Sequence, residues 1–269
     1  IKQNNRKVGY LMYNAFTANY DLQLNEEFSR FKNEGITDLV LDLRYNGGGS
    51  VLTATRLASM ITGQFNGQLF ARQQWNSKIE AYFQENNPSQ LTTNFTNTIE
   101  GIPLNSVNLT KIYVLTTGGT ASASELVING LKPYINVIQI GTKTIGKNVG
   151  SITLYDSPEF TKKDANPRHK YAMQPIVIKT LNKNGFGDYQ DGLLPDIEQS
   201  ENPGNMGVLG NESEPLLNTA LGLIFGNAKF IPLDDRSFGE EFKNLKSLQR
   251  FGNEMFITNE NTLFIKNLK

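Results

Sequence analysis

Apolar positions along this chain recur at two spacings, and the alternation between them predicts the elements. Arg6 to Tyr13 (RKVGYLMY) alternates and then runs apolar, which predicts a strand. Leu24, Phe28 and Phe31 recur four and three apart, the signature of a helix, and Gly35 supplies its stop. Asp38 to Leu43 is a short apolar run, a buried strand, and Val51 to Ile61 returns to helical spacing. Lys111 to Thr116 (KIYVLT) is β-branched and apolar; Gly118 and Gly119 break it, and Ala121 to Leu131 carries helix formers before the apolar strand Asn136 to Ile140. Strands and helices in this order predict an α/β protein with a parallel sheet and right-handed crossovers.

Around this core the pattern is more mixed. Gln68 to Gln74 and Lys78 to Phe83 space Phe70, Trp75, Tyr82 and Phe83 among polar residues, which predicts a hairpin or a strand plus helix beside the core. Asn86 to Asn108, rich in Asn, Thr and Ser, reads as a long surface loop. Gly150 to Tyr155 and Tyr171 to Leu181 read as strands on either side of the charged segment Asp156 to Lys170, and Glu214 to Phe225 as a helix with Pro215 in its first turn. No internal repeat is visible. The reading divides the chain into a core over 1–226 and a C-terminal extension over 227–269, packed on the core, whose pattern assigns no definite element.

Composition narrows the chemistry. With 269 residues and 38% hydrophobic content the chain can bury one large domain or two small ones. Lys plus Arg and Asp plus Glu both number 26, so no basic field points to nucleic acid or to an anionic membrane. No run reaches the length of a membrane span. The absence of cysteine excludes thiolate catalysis and disulfides. The single histidine, His169, lies in the polar stretch KKDANPRHK, a poor setting for a Ser-His-Asp triad. The chain opens on Ile1 with no charged and apolar leader, and the expectation is a mature form or fragment from which a signal has been removed.

Candidate chemistry concentrates between Thr116 and Ser151. The strand, turn and helix there place Ser122 or Ser124 at a helix N-terminus, where free N–H groups and the positive end of the dipole favour an oxyanion. The same Ser122-Ala-Ser-Glu125 spells a capping box, a purely structural use. Downstream, GTKTIGKN sets Lys147 between Gly146 and Asn148 and nearly spells a phosphate-binding loop. Asn148 stands where that loop needs a hydroxyl, and VGSITLYD after it reads as a strand instead of a helix, so a Gly-bounded turn with a solvated lysine is the plainer alternative. Gly47-Gly48-Gly49 after a strand lacks the dinucleotide spacing and by itself means a tight turn.

TASASE followed by GKNVG, with DLVLDLRYNGGGS upstream and DGLLPDIE downstream, resembles the S41-type C-terminal processing (tail-specific) serine peptidases over about Lys7 to Phe225. The resemblance implies Ser122 as nucleophile and Lys147 as base, with an oxyanion hole from the N–H groups of Gly48, or Gly49 in reserve, and of Ala123. It also implies a ClpP/crotonase-like spiral core of βα units with a small added β/α elaboration. No cofactor or metal, protein or peptide substrates, and a periplasmic or envelope setting as in Bacteroides-type members go with it. Many members carry a PDZ module before the core, and the first residues here are too few to form one.

A lysine acts as base only if its pKa falls from about 10.4 toward roughly 7, about 4 kcal/mol against the charged form. Ile145 and Val149 flank Lys147 and no carboxylate is its chain neighbour, both of which favour that fall. Two departures are visible: Ser151 stands where many members have a glutamine supporting the lysine, and Pro133 where some carry an aspartate. Ser151 is the candidate substitute. A catalytically silent peptide-binding relative and a crotonase-like acyl-CoA enzyme are the rival readings.

Overall fold

The computed structural model describes residues 1–3, 5–227 and 255–257. The expected extension over 227–269 therefore lies outside the described residues, apart from Asn227 and the short strand Met255–Phe256 with Ile257.

The first half follows the predicted alternation. Strands β1 (Lys2–Gln3) and β2 (Arg6–Met12) lead to helix α1 (Asp21–Glu34), β3 (Asp38–Asp42) and α2 (Val51–Thr62). Gly35 ends α1 with a left-handed φ of 63°, as its position past the last apolar residue predicts. The Ser50 side chain caps α2 by accepting from the Thr53 N–H. Next come β4 (Leu69–Trp75) and α3 (Ser77–Asn86), the strand plus helix among the predicted alternatives, then β5 (Thr92–Asn94) and the small hairpin β6 (Thr98–Ile99) and β7 (Ile102–Pro103).

The second half contains β8 (Lys111–Thr116), α4 (Ala123–Leu131), β9 (Asn136–Gly141), β10 (Val149–Ser151), β11 (Leu154–Tyr155) and β12 (Ala172–Met173). β13 (Ile176–Leu181), β14 (Ile197–Glu198), α5 (Pro215–Phe225) and β15 (Met255–Phe256) complete the order.

Two sheets carry the fold. One runs β1-β2-β3-β8-β9-β14, parallel throughout except for the short edge strand β1. β3 is buried at every residue: its apolar Leu39-Val40-Leu41 suits a central parallel strand, and the aspartates at its two ends pair with Arg6 and Arg44. On one face of this sheet α5 packs over Val40, Tyr113 and Leu115; the main core fills the other, between the sheet and α1, α2 and α4. The second sheet runs β15-β10-β13-β4-β5.

One expectation fails. Residues 86–108 are not a free surface loop: Leu91, Phe95 and Ile99 are buried, and β5 pairs with β4. The apolar residues are spaced singly among Asn, Thr and Ser, so no local run announced them, yet each finds the core.

Candidate active site

The two signature segments meet at the C-terminal ends of β3 and β8, which lie side by side in register. From the end of β3 the chain enters the glycine bend, with Gly48 at φ 108° and Gly49 at φ 137°. From the end of β8 it turns through Thr117 to Ala121 into α4. Thr120 Oγ donates to the Leu43 carbonyl and Thr117 Oγ to that of Arg44, so each turn is tied to the other.

Asn46 makes the junction closer. Its carbonyl accepts from the Ala121 N–H (3.1 Å) and from Ser124 Oγ (2.9 Å), its amide donates to the Tyr13 carbonyl, and its Oδ1 accepts from the Gly48 N–H (2.9 Å). These bonds separate the two serines. Ser124 spends its hydroxyl on Asn46, whereas Ser122 Oγ is buried without a hydrogen-bond partner among the described residues. Ser122 also holds φ 64°, ψ −114°, a strained conformation at the mouth of α4, and its side chain lies toward the Glu125 N–H in capping-box fashion without closing a hydrogen bond to it. The reverse arm of the capping box is made: Glu125 Oε2 accepts from the Ser122 N–H at 2.7 Å.

Glu125 is where the lysine segment joins. Its Oε2 accepts from the Lys147 N–H at 2.8 Å, and its Oε1 accepts from the Gly146 N–H at 2.6 Å and from Thr144 Oγ. One carboxylate oxygen thus receives the backbone N–H of both Ser122 and Lys147, which fixes the Ser122 turn against that of the lysine. Burial pushes the Glu125 carboxyl above its ordinary range, while the hydrogen bonds from Thr144, Ser122, Gly146 and Lys147 pull it back down. The expectation that Lys147 has no carboxylate beside it is therefore corrected. Glu125 is remote from the lysine in sequence, and only folding brings the first turn of α4 to it. The Lys147 residue is itself half-buried, and the strand β10 follows it directly, so no helix N-terminus stands behind the lysine loop to hold phosphate.

The glycine bend lies against the serine. A Cβ added at Gly48 would sit 2.6 Å from Ser122 Cβ and 2.9 Å from the Ala123 nitrogen, so a side chain there would occupy the space in front of both. The first-choice donor, however, is taken: the Gly48 N–H is spent on Asn46. The Gly48 carbonyl accepts from Phe16, and a trans peptide points the Gly49 N–H the opposite way. Among the described residues neither the Gly49 N–H nor the Ala123 N–H has a hydrogen-bond partner.

Ser151 is buried; its hydroxyl donates to the Met255 carbonyl and accepts from Gln174 Nε2, both at 3.1 Å. His169 pairs with Asp156 in an outer loop, whose carboxyl is held below its ordinary range by hydrogen bonds from Asn166 and His169. Sequence reasoning missed the roles of Asn46, Glu125 and Gln174. The first two lie inside the quoted motifs, and their place there was the available signal.

The site thus brings together a buried, unpartnered serine in a strained turn at a helix N-terminus and a glycine bend with a free N–H. The sequence model for peptidase family S41 matches residues 7–198, and the chain belongs to that family. A carboxyl-terminal-processing protease of Picosynechococcus sp. is 25% identical over 223 residues, covering 83% of this chain and 46% of that protein. A crystal structure from Bacteroides fragilis assigned to the S41 proteases is similar with TM-score 0.71 at 32% identity, over 85% of this chain and 57% of that one. The photosystem II D1 C-terminal processing protease shares the fold at TM-score 0.51 and 22% identity, over 74% of this chain and 44% of that one. The chain spans about half the length of these relatives.

Proposed function

We propose that this chain is the catalytic part of a serine endopeptidase that hydrolyses peptide bonds of protein or peptide substrates through an acyl-enzyme. Lys147 takes the proton from Ser122 Oγ as that oxygen bonds to the substrate carbonyl carbon. The oxyanion so formed is received by the N–H groups of Ala123 and Gly49, and Gly48 keeps the space before them open. Collapse of the intermediate breaks the C–N bond, and the leaving amine takes the proton from the Lys147 ammonium. Water, deprotonated by the same lysine, then attacks the ester, and as the C–O bond breaks Ser122 Oγ takes the proton back from the Lys147 ammonium. Each oxyanion donor contributes about 10²- to 10³-fold in rate.

The observation that carries this reading is the Ser122 hydroxyl, buried, unpartnered among the described residues and beside a free helix N-terminal N–H. The serine is fully covered in this conformation, so peptide entry requires neighbouring chain to part. The finer reading of the fold, a ClpP/crotonase-like spiral with residues 1–226 as the domain, is supported by the parallel β2-β3-β8-β9-β14 sheet with helices on both faces. An envelope or periplasmic setting rests on the resemblance to Bacteroides-type members and is tested by cell fractionation.

The decisive experiment is proteolysis of an unfolded protein, with labelling by a fluorophosphonate, for wild type, Ser122→Ala and Lys147→Ala. Wild type turns over and is labelled, and both variants lose turnover by at least about 10³-fold. Equal turnover in all three rejects the assignment; peptide binding by a wild type that is never labelled makes this a silent relative.

A further inference from the structure

The glycine bend has no side chains with which to hold itself. Gly47, Gly48 and Gly49 are consecutive, and glycine peptides rotate at little steric cost, so hydrogen bonds must set which way the Gly49 N–H points. On one side the bonds come from Phe16, whose N–H donates to the Gly48 carbonyl (3.0 Å) and whose carbonyl accepts from Ser50 (2.9 Å). On the other side stands β15, remote in sequence: the Phe256 N–H donates to the Gly49 carbonyl at 3.2 Å, and Ser50 bridges Phe256 in parallel register.

The opposite edge of β15 lies on the strand that follows the lysine. Gly150 pairs with Met255 and Ser151 with Phe256. The Ile257 N–H donates to the Ser151 carbonyl at 3.1 Å, and Ser151 Oγ donates to the Met255 carbonyl at 3.1 Å. Met255 is fully buried in the main core and Ile257 packs against it, so the strand is anchored there and does not merely rest on the surface. A continuous hydrogen-bonded ladder thus runs from Phe16 through the glycine bend and β15 to β10.

We propose that β15 is a positioning element of the catalytic site: through the Phe256 N–H and the Ser151 contacts it sets the glycine bend and the strand after Lys147 in one register. The inference rests on the acyl-transfer reading above and adds to it a part of the chain beyond the residues that the family model matches. A donor displaced by an ångström loses most of its effect on a developing oxyanion, so the contribution of β15 belongs to the chemical step and not to substrate binding.

The test replaces Phe256 in the full chain by its α-hydroxy acid, which exchanges the N–H for an ester oxygen and keeps the ring. Phe256→Ala, which keeps the N–H, is the companion. The ester chain loses about tenfold in fluorophosphonate acylation and in kcat with KM unchanged, and loses more than Phe256→Ala. An ester chain that acylates as fast as wild type, or faster, overturns the inference, as does equal loss in the two variants. Should the ester chain not fold, Met255→Ala, which withdraws the core anchor, is assayed well below its melting midpoint; unchanged kcat there overturns it equally. A wild type that is not acylated fails the functional reading itself, which separates the two failures.

Discussion

Ser122 sits where only glycine is comfortable, and a left-handed φ on a side-chain-bearing residue costs about 1–2 kcal/mol. Glu125 accepts from the Ser122 N–H and, through three further accepted hydrogen bonds from Thr144, Gly146 and Lys147, ties that turn to the lysine segment. In Glu125→Gln one oxygen becomes an amide that donates, facing backbone N–H groups that also donate. The variant should lose about 3 kcal/mol or more, read from urea unfolding, and most of its turnover. The pH dependence has a definite sign. Because burial raises the Glu125 carboxyl in the folded state, its stabilising contribution is complete below the ordinary carboxylate range and is lost as pH rises through the raised folded value. The stability advantage of wild type over Glu125→Gln therefore narrows with rising pH across that window; an advantage that widens there would contradict the raised carboxyl.

At the scale of elements, the position of Ser122 is the position of α4, and α4 is seated by a close approach. A Cβ added at Gly130 would lie 2.4 Å from Cε2 of Phe70, which is fully buried on β4 and stacked edge-on against Phe95. Gly130→Ala gains about 1 kcal/mol of helix propensity but forces an overpacked core that costs about 1–3 kcal/mol, so the clash wins. Calorimetry should show a lower melting midpoint, and kcat should fall because the far end of the same helix carries Ser122. An unchanged midpoint would mean that Phe70 has room to swing aside. The sequence revealed both elements through their apolar spacing. It did not reveal that a glycine in the last turn of α4 marks their contact, since local pattern records only its cost to the helix.

Across the whole molecule, a buried cation links the site to α5. Arg44, at the end of the signature strand, donates to Asp42 (2.6 Å), to Glu214 at the N-cap of α5 (2.8 Å) and to Glu201 (3.0 Å). Burial alone would pull its guanidinium down, but Asp42 and Glu214 hold it above its ordinary value. Arg44→Met leaves two deeply buried carboxylates, Asp42 and Glu214, without their cation, at a cost of about 3–5 kcal/mol, a large part of the stability of any domain. The urea midpoint should drop accordingly and recover in part when Glu214→Gln is added. A drop that the second substitution deepens would show that the carboxylate was not the unpaired partner.

The family resemblance singled out Ser122 and Lys147; what the local sequence settled by itself was the type and order of the elements, the parallel core and the stop of α1 at Gly35. Apolar spacing and turn residues act over a few positions, so these can be read along the chain. Tertiary structure decided which serine keeps its hydroxyl, which glycine keeps its N–H, that Glu125 serves both turns, that Phe95 and Ile99 belong to the core, and that β15 lies beside the glycine bend. Each depends on a hydrogen-bond partner or a packing neighbour supplied from a distant part of the chain, and no periodicity in the local sequence encodes who that neighbour will be.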